Sequence, residues 1–184
     1  MKIIRIVDHD PSWPAAFEVE KAGLMARLGE IVREVHHVGS TAVPGLAAKP
    51  KIDIDAVLHS ERHLAAAIEL LTADGSHDYH GDPFGDRMWT FTASRVSHGI
   101  RLYLCEPGNR THLERVLFRD WLRSHGDEAA AYAALKRRLA SQAAGDWKAY
   151  TDGKAEFVAR IVARASRETP AAETLIPPAS TSAR

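Results

Sequence analysis

The chain has 184 residues, 45% apolar and 26% charged, with 24 basic and 24 acidic side chains and a formal net charge of zero. That length suits one domain with room for a core, and with zero net charge a large, uniformly basic nucleic-acid footprint is not predicted, while local basic patches stay compatible with it. Cys105 is the one cysteine, so no intrachain disulfide can form, which fits a reducing compartment.

Residues 1–7 hold too short an apolar run for a signal peptide. No stretch approaches the ~20 apolar residues that span a bilayer. A cytoplasmic protein without a membrane partner is expected. Asn109-Arg110-Thr111 matches a glycosylation acceptor by letter, and without a secretion signal it is set aside.

Residues 3–7 read as a short β run and residues 8–12 as a turn. Phe17, Leu24, Leu28 and Ile31 recur near helical spacing, which predicts a helix over 14–28. A strand follows at 34–38, then a loop over 39–50 punctuated by Pro44-Gly45 and Pro50. Residues 51–58 form the next strand. Leu64, Ile68 and Leu71 mark the inner face of a helix over 61–73. Residues 75–86 read as a Gly-rich loop with a short strand near Tyr79. Strands at 87–93 and 100–105 are joined through Ser97-His98-Gly99, and Trp89 and Phe91 pack the core. From Thr111 the pattern is helical, with stripes at Leu113, Leu117, Trp121, then Tyr132, Leu135, Leu139, then Phe157 and Ile161 beside Val158 and Val162. The Pro-, Ser-, Thr- and Ala-rich end is expected to be disordered. The fold class is α+β: a small mixed β-sheet flanked by helices, with a helical C-terminal half from about 111. A single domain covers 1–166, with a tail over 167–184.

The chemistry concentrates between Val38 and Leu58. On a strand, Asp53 and Asp55 share a face with Cα atoms roughly 6.5 Å apart, while Ile52, Ile54 and Ala56 face the core. Two such carboxylates can hold Mg²⁺, and a metal between them offsets their repulsion. In nucleotidyl transfer metals bind triphosphate oxygens and activate the acceptor. Upstream, Gly39 lets a phosphate approach the backbone, Ser40 and Thr41 offer hydroxyls and N–H groups, and Lys49 adds charge. Asp-x-Asp alone is more often the solvated face of an edge strand; the combination with Gly-Ser turns the reading towards phosphate and metal.

Arg115, Arg119 and Arg123 recur at i, i+4, i+8 and form one basic stripe, either a grip on a triphosphate or a solvated face beside Asp120 and Asp127. Arg87 opens the strand after the Gly-rich loop, within reach of a phosphate or simply exposed. His36 and His37 point to opposite faces and cannot share a metal. Cys105 reads as a small buried hydrophobe.

The run from His37 to Ile54, His-Val-Gly-Ser-Thr-Ala-Val-Pro-Gly-Leu-Ala-Ala-Lys-Pro-Lys-Ile-Asp-Ile, resembles the signature of the GrpB family, which is assigned to the nucleotidyltransferase superfamily typified by DNA polymerase β. Phe118-Arg119-Asp120-Trp121-Leu122-Arg123 resembles a second block of that family. Tyr132 with Leu135-Lys136, and Tyr150-Thr151 with Gly153-Lys154, resemble its C-terminal pattern, and Trp13 and Phe17 its first helix. The resemblance implies a sheet of nucleotidyltransferase type. It implies a nucleotidyl group passed from an NTP, ATP first among candidates, to a small-molecule or protein acceptor that it does not name. It implies Mg²⁺, with Mn²⁺ as the alternative, on Asp53 and Asp55. Gly39, Ser40, Thr41, Lys49, Arg87 and Arg119 would meet the nucleotide phosphates. Some family members resemble a domain fused to dephospho-CoA kinase.

One departure matters. The family carries His-Leu-His-Val on a late strand, where this chain has Arg101-Leu102-Tyr103-Leu104. The superfamily commonly takes a third carboxylate from such a strand. Glu106, just beyond it, is the candidate, against a plain surface Glu before Pro107-Gly108. Without a third acid, the alternative is a catalytically impaired module that binds a nucleotide or a CoA-related ligand. Oligomeric state is not legible.

Overall fold

A computed structural model describes residues 3–168. Five strands form one mixed sheet: β1 (Val32–Val38), β2 (Lys51–Leu58), β3 (Asp78–Tyr79), β4 (Trp89–Ser94) and β5 (Gly99–Cys105). Their order is β1-β2-β5-β4-β3. The β2–β5 pair is parallel and the other neighbours are antiparallel. Six α-helices surround it: α1 (Trp13–Leu28), α2 (Leu64–Thr72), α3 (Arg110–Ser124), α4 (Gly126–Gln142), α5 (Trp147–Asp152) and α6 (Ala155–Glu168). The α+β class and the helical C-terminal half are as expected. No helix among the described residues is long and apolar enough to cross a membrane.

Local chemistry sets the helix ends. Pro14 opens α1, where its missing N–H costs nothing. Asn109 caps α3 by accepting from the His112 N–H at 3.0 Å. Asn109 is buried, and its Nδ2 donates to the Asp86 carbonyl at 2.9 Å, so the glycosylation-like triplet is a structural cap. Asp146 caps α5 by accepting from Lys148 and Ala149 N–H groups.

Both faces of the sheet are covered. Ile52, Ile54, Ala56, Ile100, Leu102 and Leu104 pack against α1 and α2. On the other face Val43, Leu46 and Ala47 join Trp121, Tyr132, Phe157 and Ile161 in a second core. β2 is an interior strand buried throughout residues 54–58, and Asp53 and Asp55 alternate with its apolar residues on the face turned from α1 and α2.

The sequence expectations differ from the structure in three places. Residues 3–7 contribute one bridge, Val7 to Ala48, and no strand. Arg87 lies outside its expected strand at φ 60°, because Asp82 accepts its N–H at 2.9 Å and turns the chain before Trp89. Arg167 and Glu168 close α6, and the rest of the expected tail lies outside the described residues.

Candidate functional site

The β2–β5 register puts Asp53 beside Arg101 and Asp55 beside Tyr103 on one face. A cleft of about 540 Å³ opens over the first of these pairs. Asp53, Arg101 and Tyr103 line it together with the turn at Gly39, Ser40 and Thr41, Lys136 of α4, and Trp147 and Tyr150 of α5. The volume lies within the ~300–1,000 Å³ of ordinary ligand sites.

Six cationic side chains line the cleft: Lys49, Lys51, Arg101, Arg115, Lys136 and Lys154. They face two carboxylates, Asp53 and Asp86. Aromatic faces hold several of these cations where acids would otherwise do so. Lys49 Nζ lies 4.4 Å from the Trp147 ring centre and 4.7 Å from that of Tyr150. Lys154 Nζ lies 4.5 Å from Tyr150, Lys136 Nζ 4.6 Å from Tyr132, and the Arg115 guanidinium 4.0 Å from Tyr103. A ring quadrupole attracts a cation without neutralising it, so the cleft stays electropositive.

Crowding shows in the protonation equilibria. Burial, reinforced by Lys154, lowers Lys49 to about 8. Burial, with Lys154, Arg137 and Lys49 adding repulsion, lowers Lys136 to about 7. Lys51 and Lys154 are lowered for the same first reason. Asp86 is raised by burial. Arg101 Nε is buried with no hydrogen-bond partner.

The two aspartates expected to act as a pair have different fates. Asp53 is half-buried in the cleft. Asp55 is 0% exposed and closed off by α3. Its Oδ2 meets His112 Nδ1 at 3.0 Å, and its Oδ1 lies 3.0 Å from Arg115 Nη1, close enough to pair although off the line for a hydrogen bond. Asp55 thus anchors Arg115 and does not face the cleft. The donor set does not fit the expected Mg²⁺ pair. Among the described residues no group of three or more His, Cys, Asp or Glu is placed to hold a metal ion. The strand position beside Asp53 holds a guanidinium, which repels a divalent cation.

The structure brings Gly39, Ser40, Thr41, Lys49 and Asp53 together in the cleft. Ser40 Oγ accepts from Lys136 Nζ at 2.8 Å. The Thr41 hydroxyl is engaged elsewhere: it donates to the Lys51 carbonyl at 3.0 Å and accepts from His37 Nε2 at 3.0 Å. Burial lowers His37 to about 4 and keeps it neutral, while its ring stacks on Phe17 at 4.7 Å. Arg87 and Glu106 do not line the cleft; they bind each other through two contacts of 2.6 and 2.7 Å. Arg119 is also elsewhere, with Nη1 donating to the His37 carbonyl at 2.9 Å and Nε to Asp120 at 2.7 Å. Arg123 Nε donates to the Ala42 carbonyl at 2.9 Å. The arginine stripe therefore fastens α3 to β1 and the Gly-Ser turn, with Arg115 alone reaching the cleft.

Gly39 has φ 71°, and a Cβ there would lie 2.6 Å from Asp53 Oδ2. Gly39→Ala must strain the turn and push Asp53 aside. A stability loss of about 1–3 kcal/mol is expected, read as a lower urea midpoint with an unchanged slope.

Sequence reasoning missed Lys51, Arg101, Lys136 and Lys154 as members of one site, and offered Arg115 only as part of the arginine stripe. The family-like blocks around Leu135-Lys136 and Gly153-Lys154 were the available signal.

Fold and cleft together define an α+β protein with an electropositive recess over the paired strands β2 and β5, beside its Gly-Ser turn. Residues 3–164 match the family described as GrpB protein. The UPF0157 protein of Pseudomonas aeruginosa is 38% identical over 175 residues, which cover 90% of this chain and 69% of that one. The crystal structure of conserved protein GrpB from Enterococcus faecalis superposes with a TM-score of 0.80 at 25% identity, over 89% of this chain and 98% of that chain. A protein named dephospho-CoA kinase in Mycolicibacterium paratuberculosis is 32% identical over 174 residues, 80% of this chain and 42% of its own length. This chain belongs to the GrpB family.

Proposed function

We propose that the cleft binds the phosphate chain of a nucleotide, ATP first among candidates. The observation that carries this reading is the excess of six cations over two carboxylates around one recess. Trp147 and Phe84, 40% and 75% exposed, line the same cleft and offer apolar faces for a base. The likeness to a protein named dephospho-CoA kinase supports including CoA-type ligands, which carry the same nucleoside diphosphate.

Calorimetric titration of the chain with ATP and with adenosine tests the proposal. ATP is expected to bind at least tenfold more tightly. Equal affinities, or no binding of ATP, would sink it.

Group transfer is a second reading, favoured by one observation: Asp53 lies against the Gly39 turn inside the cleft. It corresponds to the nucleotidyl transfer expected from the sequence. Label carried from ATP to an acceptor in a cell extract, and lost in Asp53→Asn, would establish it over binding alone.

The lysines make a pH prediction. Without ligand, Lys136 at about 7 and Lys49 at about 8 hold fewer protons folded than unfolded above those values. Stability of the empty protein therefore rises as pH climbs from about 7 towards the ordinary lysine range. A bound phosphate favours the protonated lysines, so binding takes up protons and weakens over the same interval. Titrations between pH 6.5 and 9 in buffers of differing ionisation enthalpy would show both effects.

A further inference from the structure

We infer that the cleft takes its phosphate ligand free of divalent metal, with Arg115 supplying the charge that a metal would otherwise bring. The inference rests on the cleft being a nucleotide-phosphate site and says which ionic form of the ligand it accepts.

Three observations carry it. Asp55, the second acid of the Asp-x-Asp pair, is fully buried and held between His112 and Arg115, each at 3.0 Å. The strand that would supply further ligands instead places Arg101 and Tyr103 beside the two aspartates. The Arg115 guanidinium stacks 4.0 Å over Tyr103 and lines the cleft, so the buried acid aims a fixed cation at the space above Asp53.

Asp55 is a positioning residue in this arrangement. It keeps the guanidinium in one orientation, and the ordering is complete before a ligand arrives. An anion entering the cleft meets Arg101, Arg115 and Lys136 without the desolvation that a hydrated Mg²⁺ demands. Mg²⁺ complexed to ATP removes two of its negative charges and brings a cation against cations. Asp53 repels phosphate oxygens here, whereas in a metal site it would attract the ligand's metal.

The two arrangements predict opposite signs. With the full chain, ATP in EDTA is expected to bind at least tenfold more tightly than ATP with saturating Mg²⁺. Asp53→Asn is expected to tighten ATP binding in EDTA or leave it unchanged. Asp55→Asn is expected to weaken it in EDTA, with the circular dichroism spectrum showing a folded chain. Inorganic tripolyphosphate in EDTA should behave as ATP does. Binding of ATP only in the presence of Mg²⁺, or loss of binding in Asp53→Asn, would overturn the inference and leave the nucleotide reading standing. Binding of tripolyphosphate in EDTA without binding of ATP would sink the nucleotide reading and uphold the metal-free site.

Discussion

Asp55→Ala is expected to destabilise the fold by about 3 kcal/mol, seen as a large drop in the urea midpoint. The mechanism is the loss of a buried partner. Asp55 is 0% exposed and is the acid beside both His112 and Arg115. Removing it leaves a guanidinium whose side chain is only 23% exposed, without its counter-charge. That residual access to water puts the effect near the lower end of the range for a broken buried pair. A solvated Asp on an edge strand would change stability by less than about 0.5 kcal/mol. Two carboxylates held close without a metal would repel, so removing one would stabilise the empty protein. The replacement Asp55→Leu with Arg115→Leu should recover much of the loss, since apolar pairs of similar volume often match buried ion pairs. It should not recover phosphate binding.

Lys136→Met is expected to separate binding from stability in the other direction. Lys136 is 2% exposed and donates to Ser40 Oγ and to the Ala47 carbonyl. It ties α4 to the Gly-Ser turn and faces the cleft. ATP affinity should fall at least tenfold, about 1.4 kcal/mol, because the cation nearest Ser40 is gone. Stability should stay within about 1 kcal/mol. The lost hydrogen bonds are offset by relief from burying a charge that its neighbours repel. The pH dependence of ATP affinity near 7 should flatten, leaving the part near 8 that belongs to Lys49. A Met variant that binds ATP as tightly as the parent would remove Lys136 from the site.

How much was legible depended on the range of the interactions involved. The strand over residues 51–58 was readable because its apolar run begins after Pro50 and alternates with Asp53 and Asp55 before closing on Val57-Leu58. Gly39 was readable as a special position from its residue type, but the reason was not: the sequence offered the missing Cβ as room for a phosphate, and in the fold an Asp53 oxygen takes that place while the turn needs φ 71°. Phe17, Leu24 and Leu28 carried the first helix by periodicity. Arg87 and Glu106 were expected at the same site, and the structure places both outside the cleft. Each looked available in isolation, and the charge of each is met by the other across 19 residues.

The sequence by itself determined the strand and helix pattern, the Gly-Ser turn and the face on which both aspartates lie. These follow from backbone sterics and from periods of 2 and 3.6 residues, which act over a few positions. Tertiary structure alone decided which aspartate meets solvent. The two are equivalent by spacing, and α3, arriving 57 residues later with His112, covers one of them. It also decided the sign of the cleft. Its cations come from the Gly-Ser loop, β2, β5, α3, α4 and the turn before α6, and a net charge of zero conceals them until folding brings them within a few ångströms. Coulomb interactions depend on distance in space, and only the packed helices set that distance.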